Sequence, residues 1–252
     1  MTSSLAGKVA MVTGGSRGIG AAVAIRLAAD GADVGYTQTR LPGAHEPTRE
    51  AIERLGRRAL CVQADHAVPE ESEAAVRRVV DHFGTLDILV NVAGVFVTGA
   101  IDDPDRDQHA FDRQLAINLG GVVSTTRAAV PALSDGGRIV SIATAGAHAT
   151  RTPAAGLGDY MASKSAVVAY SKGWARDLGP RGITVNVVQP GPIESDMVPA
   201  GTELAENMAA LTILGRIGTT ADVAAAVAYL VGPEAGFVTG TALTVDGGLQ
   251  AL

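Results

Sequence analysis

Val9-Ala10-Met11-Val12-Thr13-Gly14-Gly15-Ser16-Arg17-Gly18-Ile19-Gly20 is the stretch on which the architecture turns. Residues 9–13 read as a short apolar strand, and residues 21–28 (AAVAIRLA) continue as a helix. A glycine-rich turn between strand and helix lets the backbone approach a pyrophosphate and aims a helix N-terminus at its charge. Gly14, Ser16, Arg17, Gly18, Ile19 and Gly20 are therefore candidate dinucleotide contacts. The same residues also fit the G-x-S-x-G elbow of a hydrolase nucleophile. That reading needs an acid and then a histidine later in the chain, and no histidine follows His148, so Ser16 reads as part of a phosphate loop.

The rest of the chain repeats the same alternation. Strand signals fall at 9–13, 33–37, 59–64, 88–91, 138–143, 184–188 and 242–245, several of them apolar on both faces. Such runs suit a parallel sheet covered by helices on both sides. Helical stretches lie between them at 70–82, 108–129, 160–178 and 221–230. The expected fold class is α/β: a Rossmann-type doubly wound, seven-stranded parallel sheet in three α/β/α layers, with its ligand crevice at the strands' C-terminal ends. Residues 1–252 read as a single catalytic domain without repeat or linker. Residues 190–214, with Pro190, Pro192, Pro199 and Gly201, break the rhythm at a strand's C-terminal end and read as a substrate lid.

Composition narrows the partners. The 252 residues are 47% hydrophobic and 18% charged, which excludes extensive disorder. A formal charge of −6 argues against nucleic acid, whose binding rests on phosphate neutralisation. With no secretory leader, no apolar run of spanning length and one cysteine, Cys61, the chain reads as a cytoplasmic protein without membrane partners. The five histidines show no metal-ligand spacing, and no metal site is expected.

Tyr160 and Lys164 stand four apart on the expected helix 160–178, hence on one face. Making a phenol ionisable near neutrality requires lowering its pKa by about 3 units, roughly 4 kcal/mol. An ammonium about 4 Å away at an effective dielectric near 20 supplies about that much. Such a phenol can give a proton to a carbonyl oxygen or take one from an alcohol.

With these pieces assembled, the chain resembles the short-chain dehydrogenase/reductase family, from Lys8 to Gly248, in its single-domain, 3-oxoacyl-reductase-like branch. The matching residues are 13–20, Asp65, Asn91-Val92-Ala93-Gly94, Asn118, Tyr160 with Lys164, Pro190-Gly191, and Val238-Thr239-Gly240 with Val245-Asp246-Gly247-Gly248. The resemblance implies that Asp65 and His66 lie by the adenine, and that Asn91, Ala93 and Gly94 support the sheet beside the cofactor. It further implies that Asn118 holds a water relaying protons toward Lys164, and that Lys164 binds the nicotinamide ribose. Pro190, Gly191, Ile193 and Ser195 would flank the nicotinamide, Ser195 standing where the family usually has threonine. The family's substrate-binding serine is replaced: Thr144 aligns there, while the rival Ser141 sits at an odd offset on the opposite strand face.

Cofactor preference follows from charge. No acid closes the second strand, Asp33-Val34-Gly35-Tyr36-Thr37-Gln38-Thr39-Arg40, and Arg17 and Arg40 are placed to meet a 2′-phosphate. NADP(H) is the expected cofactor. Val95, Phe96, Ala145, His148, Leu157, Pro192, Met197 and Val198 make a mostly apolar pocket, suited to a small uncharged carbonyl or alcohol. Members that act on carrier-bound acyl chains use two basic docking positions, and here these are Asp135 and Arg181, with one charge inverted. A carrier-protein reductase and a non-catalytic nucleotide-binding protein stand as alternatives. Ala162, Ala166, Ala169 and Gly173 along helix 160–178 suit helix pairing across a two-fold axis, so a homodimer or homotetramer is expected.

Overall fold

The computed structural model describes residues 4–40, 46–148, 155–195, 198–199 and 201–251. Seven strands, β1 (Val9–Val12), β2 (Asp33–Gln38), β3 (Ala59–Gln63), β4 (Leu86–Asn91), β5 (Leu133–Ile142), β6 (Thr184–Pro190) and β7 (Ala242–Val245), form one sheet. All are parallel, in the order β3-β2-β1-β4-β5-β6-β7. The order reverses between β1 and β4, which opens a crevice above their C-terminal ends. This is the doubly wound Rossmann-type fold expected from the sequence.

The all-apolar strands are explained by two cores. Ala10 and Val12 of β1, with Val34, Ile88 and Val140, face Val23 and Leu27 of α1 (Gly18–Ala29) and Val223 and Val227 of α8 (Thr220–Val231). Val9 and Met11, with Leu89, Ile139 and Val185, face the other way, onto Val76 and Val79 of α3 (Pro69–Phe83) and Leu178 of α6 (Gly158–Leu178). Side chains alternate across a strand, so a sheet covered twice requires apolar residues at successive positions. Each fully buried aliphatic side chain contributes about 1.5–3 kcal/mol.

Local signals set the helix ends. In α8 the Thr219 hydroxyl accepts from Asp222 N at 3.2 Å while the Asp222 carboxylate accepts from Thr219 N at 2.8 Å, a reciprocal cap. Helix α3 begins at Pro69, carries Glu70 and Glu71 in its first turn, and ends at Gly84 with φ of 84°. Helix α2 (Pro47–Arg54) was not expected: eight residues behind a proline are too few to show a period. The expected helix 108–129 is interrupted. It consists of α4 (Gln108–Leu115), a π-turn at Ala116–Gly121 and α5 (Val122–Ala129). The segment 190–214 is not structureless, since it contains α7 (Glu203–Ala209), capped by Thr202. Among the described residues, no helix is long and apolar enough to cross a membrane.

Candidate active site

The glycine loop runs from the end of β1 to the start of α1, under the crevice. Gly14 has φ of 66°, and a Cβ there would lie 2.9 Å from Ala93 Cα; a Cβ on Gly20 would lie 2.1 Å from the Gly14 carbonyl oxygen. Only glycine fits either place. Thr37, at the end of β2, clamps the loop's first two residues: its hydroxyl accepts from Gly14 N at 3.0 Å and its carbonyl from Gly15 N at 2.9 Å. The Thr13 hydroxyl accepts from Val92 N and Ala93 N at 2.9 and 3.0 Å, fixing the next strand end beside it. The later amides, on Ser16 to Gly20, sit where the half-exposed loop meets the N-terminus of α1. This cradle fits a diphosphate.

Asn91 is buried at the end of β4 and donates to the hydroxyls of Thr126 at 3.1 Å and Ser141 at 3.2 Å. It thereby ties β4 to α5 and β5. Ser141 is fully buried in this contact, whereas Thr144 lies beyond the end of β5 and hydrogen-bonds the Tyr160 side chain. The Phe96 ring meets the Tyr160 ring edge-to-face, with centroids 4.8 Å apart and planes at 88°.

Three elements bring the remaining polar groups to Gly94. A Cβ on that residue would lie 3.1 Å from Asn118 Oδ1 and 3.3 Å from Lys164 Nζ. Asn118 is held in the π-turn, its Oδ1 accepting from Val95 N at 2.8 Å and its Nδ2 donating to Val95 O at 2.9 Å and Ser163 Oγ at 3.4 Å. Lys164 is buried, and Nζ donates to the Ile142 carbonyl at 3.0 Å. That accounts for one of three ammonium donors among the described residues. An ammonium carries two further donors, which would suit the hydroxyls of a ribose.

The electrostatics differ from the sequence expectation. Burial pushes the Tyr160 phenol up from its ordinary value, and the Thr144 hydrogen bond works against that rise. The lysine itself is pushed down by burial to about 8. Spacing on the helix puts both residues on one face, but it takes no account of the desolvation that each suffers there.

At the far end of the crevice, Asp65 Oδ1 accepts from Ala67 N at 2.9 Å and Oδ2 pairs with Arg113 Nη2 at 2.8 Å. Burial alone would raise the Asp65 carboxyl, but the Ala67 amide and Arg113 carry it below the ordinary value. The His66 ring is turned into the protein, with Nε2 2.8 Å from Thr37 Oγ1 and Nδ1 2.9 Å from Ser72 Oγ. Its side chain therefore meets the protein interior rather than the adenine side of the crevice. Arg17 and Arg40 are exposed near the loop and the β2 end. Space supplies an acid that the strand sequence lacks: Glu46 is 5% exposed, accepts from Gln38 Nε2 at 3.1 Å, and lies 3.6 Å from Arg49 Nε. Its position beside the last residue of β2 has no sequence signal. Burial and a hydrogen bond to Glu46 push the Cys61 thiol up to about 12, which leaves it protonated.

Pro190 ends β6, and a Cβ on Gly191 would lie 2.7 Å from Asp246 Cα. Ile193 is buried and bridges Gly218, and the Ser195 backbone bridges Val198. Val95 and Phe96 are exposed at the crevice mouth, with Ala145 and Leu157 buried and Pro192 and Val198 half-buried. Met197 and the His148 side chain lie outside the described residues.

The model of a family described as Enoyl-(Acyl carrier protein) reductase matches residues 14–250. The chain belongs to the short-chain dehydrogenase/reductase family. Within that oxidoreductase family it is similar to the cyclic-di-GMP-binding biofilm dispersal mediator protein of Escherichia coli, 40% identical over 97% of this chain and 98% of that protein. It is also similar to a 3-oxoacyl-(acyl-carrier-protein) reductase of Staphylococcus aureus, 36% identical over 96% of this chain and 98% of that one. A short-chain dehydrogenase of Burkholderia cenocepacia, solved in complex with NADP, superposes with a TM-score of 0.93 at 48% identity, covering 98% of this chain and 99% of that one.

Proposed function

We propose that the chain is an NADP(H)-dependent oxidoreductase acting on a small uncharged carbonyl or alcohol, with Tyr160 as general acid and base. The observation that carries this reading is the Tyr160 phenol bonded to Thr144 at the mouth of a glycine-lined crevice whose floor holds Lys164 and Asn118. When bound, the dinucleotide supplies or accepts the hydride. Thr144 bonds the substrate oxygen together with Tyr160, and Tyr160 delivers the proton to it or removes it. Phe96, packed against the phenol, limits its rotation and lines the apolar mouth. Lys164 holds a positive charge and two donors toward the ribose. Asn118 fixes the loop at Val95, and a π-turn, which leaves a carbonyl without its regular partner, suits the water of a proton relay.

NADP(H) over NAD(H) rests on Arg17 and Arg40, on the enclosure of Glu46 by Gln38 and Arg49, and on the NADP complex of the Burkholderia relative. A panel of ketones, imines and 3-oxoacyl thioesters followed by loss of NADPH absorbance tests the activity. Tyr160→Phe is expected to retain NADPH binding and lose turnover, and wild-type turnover by that variant removes the proton-donor role. The carrier-protein alternative is weakened by Asp135, which pairs with Arg181 at 2.8 Å and neutralises the basic position expected to greet an acidic carrier. The E. coli relative keeps a second reading, nucleotide binding without turnover, in the test: NADPH binding with no turnover of any panel member favours it. Ala162, Ala169 and Gly173 face outward from α6 rather than into the chain's own core, which supports pairing with a second copy, checked by light scattering.

A further inference from the structure

His66 is 6% exposed, and both its ring nitrogens are engaged between elements that share no sequence proximity. Nε2 reaches Thr37 Oγ1 on β2, and Nδ1 reaches Ser72 Oγ on α3, with Thr125 Oγ1 of α5 3.5 Å away. The same Thr37 oxygen accepts the Gly14 amide at 3.0 Å. A hydroxyl that accepts one N–H is oriented only when its own hydrogen has somewhere to go. A neutral imidazole supplies one acceptor and one donor. One of the two neutral tautomers has Thr37 donating to Nε2 and Nδ1–H donating to Ser72, which orients the Thr37 oxygen to accept the Gly14 amide.

We infer that His66 is a positioning residue for the dinucleotide loop, acting through Thr37 to hold Gly14 in the conformation that turns the loop toward the diphosphate. Burial keeps the ring neutral at ordinary pH, its pKa depressed to about 4 against the pull of Asp65 and Glu71, so one ring nitrogen is available as an acceptor for the Thr37 hydroxyl. The inference rests on the reading of this crevice as a dinucleotide site. It assigns His66 a role opposite to a ligand contact: the ring faces away from the cofactor and fixes the backbone that meets it.

The experiment is NADPH binding, followed by nucleotide fluorescence, for wild type and for variants that keep one arm of the ring. His66→Gln retains an acceptor at the Nε2 distance, and His66→Asn retains only the reach of Nδ1. Gln is expected within about three-fold of wild type, and Asn to bind about ten-fold more weakly, the worth of one buried hydrogen bond. The loss should fall on KM for the dinucleotide rather than on kcat. Thr37→Val should weaken binding to a similar degree and Thr37→Ser should not, and the double variant Thr37→Val with His66→Asn should be no weaker than the worse single one. Equal behaviour of Asn and Gln, wild-type binding by Thr37→Val, or additive losses overturn the inference. If the His66 variants do not fold, wild-type binding by Thr37→Val, nearly isosteric in β2, still overturns the inference. Wild type that binds neither NADPH nor NADH refutes the function proposed above instead.

Discussion

Replacing Lys164 with methionine should make the protein more stable and inactive. Burial lowers the ammonium's pKa from 10.5 to about 8, so the charged form is disfavoured in the folded state relative to the unfolded chain. At 1.36 kcal/mol per unit, that gap costs about 3 kcal/mol at pH 7, where the folded lysine is still mostly protonated. Methionine fills nearly the same volume without a charge, though the Ile142 carbonyl loses its donor, which returns about 1 kcal/mol. Lys164→Met is therefore expected to gain about 2 kcal/mol without cofactor, equivalent to roughly 4–8 °C in melting temperature for a chain of this size.

Urea unfolding of wild type and variant at matched concentration, from pH 7 to 10.5, reads this directly. Between pH 8 and 10.5 the unfolded wild-type chain holds a proton that the folded one has released, so wild-type stability rises with pH there. The variant lacks this group, and other alkaline titrations are common to both proteins and cancel in the difference. The advantage of Lys164→Met must shrink across that window. A variant less stable than wild type at pH 7, or an advantage independent of pH, refutes the reasoning that the folded chain holds a costly charge for its ligand.

Other perturbations probe neighbouring groups. Thr144→Val removes the hydrogen bond that opposes the rise of the Tyr160 pKa, so the limb of alcohol oxidation that needs an ionised phenol should move to higher pH, with turnover down about 100-fold; Thr144→Ser should keep both. Steady-state pH profiles check this. Arg17→Ala and Arg40→Ala should each weaken NADPH binding by about ten-fold and leave NADH nearly unchanged, as read by nucleotide fluorescence. The His66 imidazole is neutral in the fold to about pH 4, while the unfolded chain takes the proton near 6.5. The unfolded state thus binds more protons in that window, and about 3 kcal/mol of stability should be lost as pH falls through it. Denaturant melts of His66→Gln should lack this component of the acid slope.

The sheet was legible because two-sided burial marks its central strands: Val9 to Val12 are apolar at successive positions and 183–188 nearly so, runs that suit strands of a parallel sheet covered on both faces. Strand β5 begins five residues earlier than expected, at Leu133, because its first residues pass through Gly136 and Gly137, which give no β signal. The π-turn holding Asn118 was invisible for a different reason. Its sequence, Ala-Ile-Asn-Leu-Gly-Gly, is compatible with continued α-helix, and what accompanies the departure is tertiary: a Cβ on Gly121 would lie 2.6 Å from the His66 carbonyl oxygen. Glu46 behaves likewise, carried to the β2 end by a helix too short to announce itself.

The electrostatic expectation for Tyr160 missed in a way that bears on mechanism. Residue identity and helical spacing treat Lys164 as a charge delivered to a phenol, whereas the fold directs Nζ to the Ile142 carbonyl, buries the lysine and half-buries the phenol. A phenol raised by burial stays protonated near neutrality, so under the function proposed above it is present in the form that gives a proton rather than the form that takes one. Removing a proton from an alcohol then requires further positive charge at the crevice, which an oxidised nicotinamide carries and a reduced one does not. The polarity of the phenol would thus follow the redox state of whatever occupies the glycine-lined cradle. Titrating the ultraviolet phenolate absorbance of wild type against Tyr160→Phe should place the Tyr160 transition lower with NADP⁺ bound than without it; a transition unmoved by NADP⁺ would break the link between the cradle and the acid.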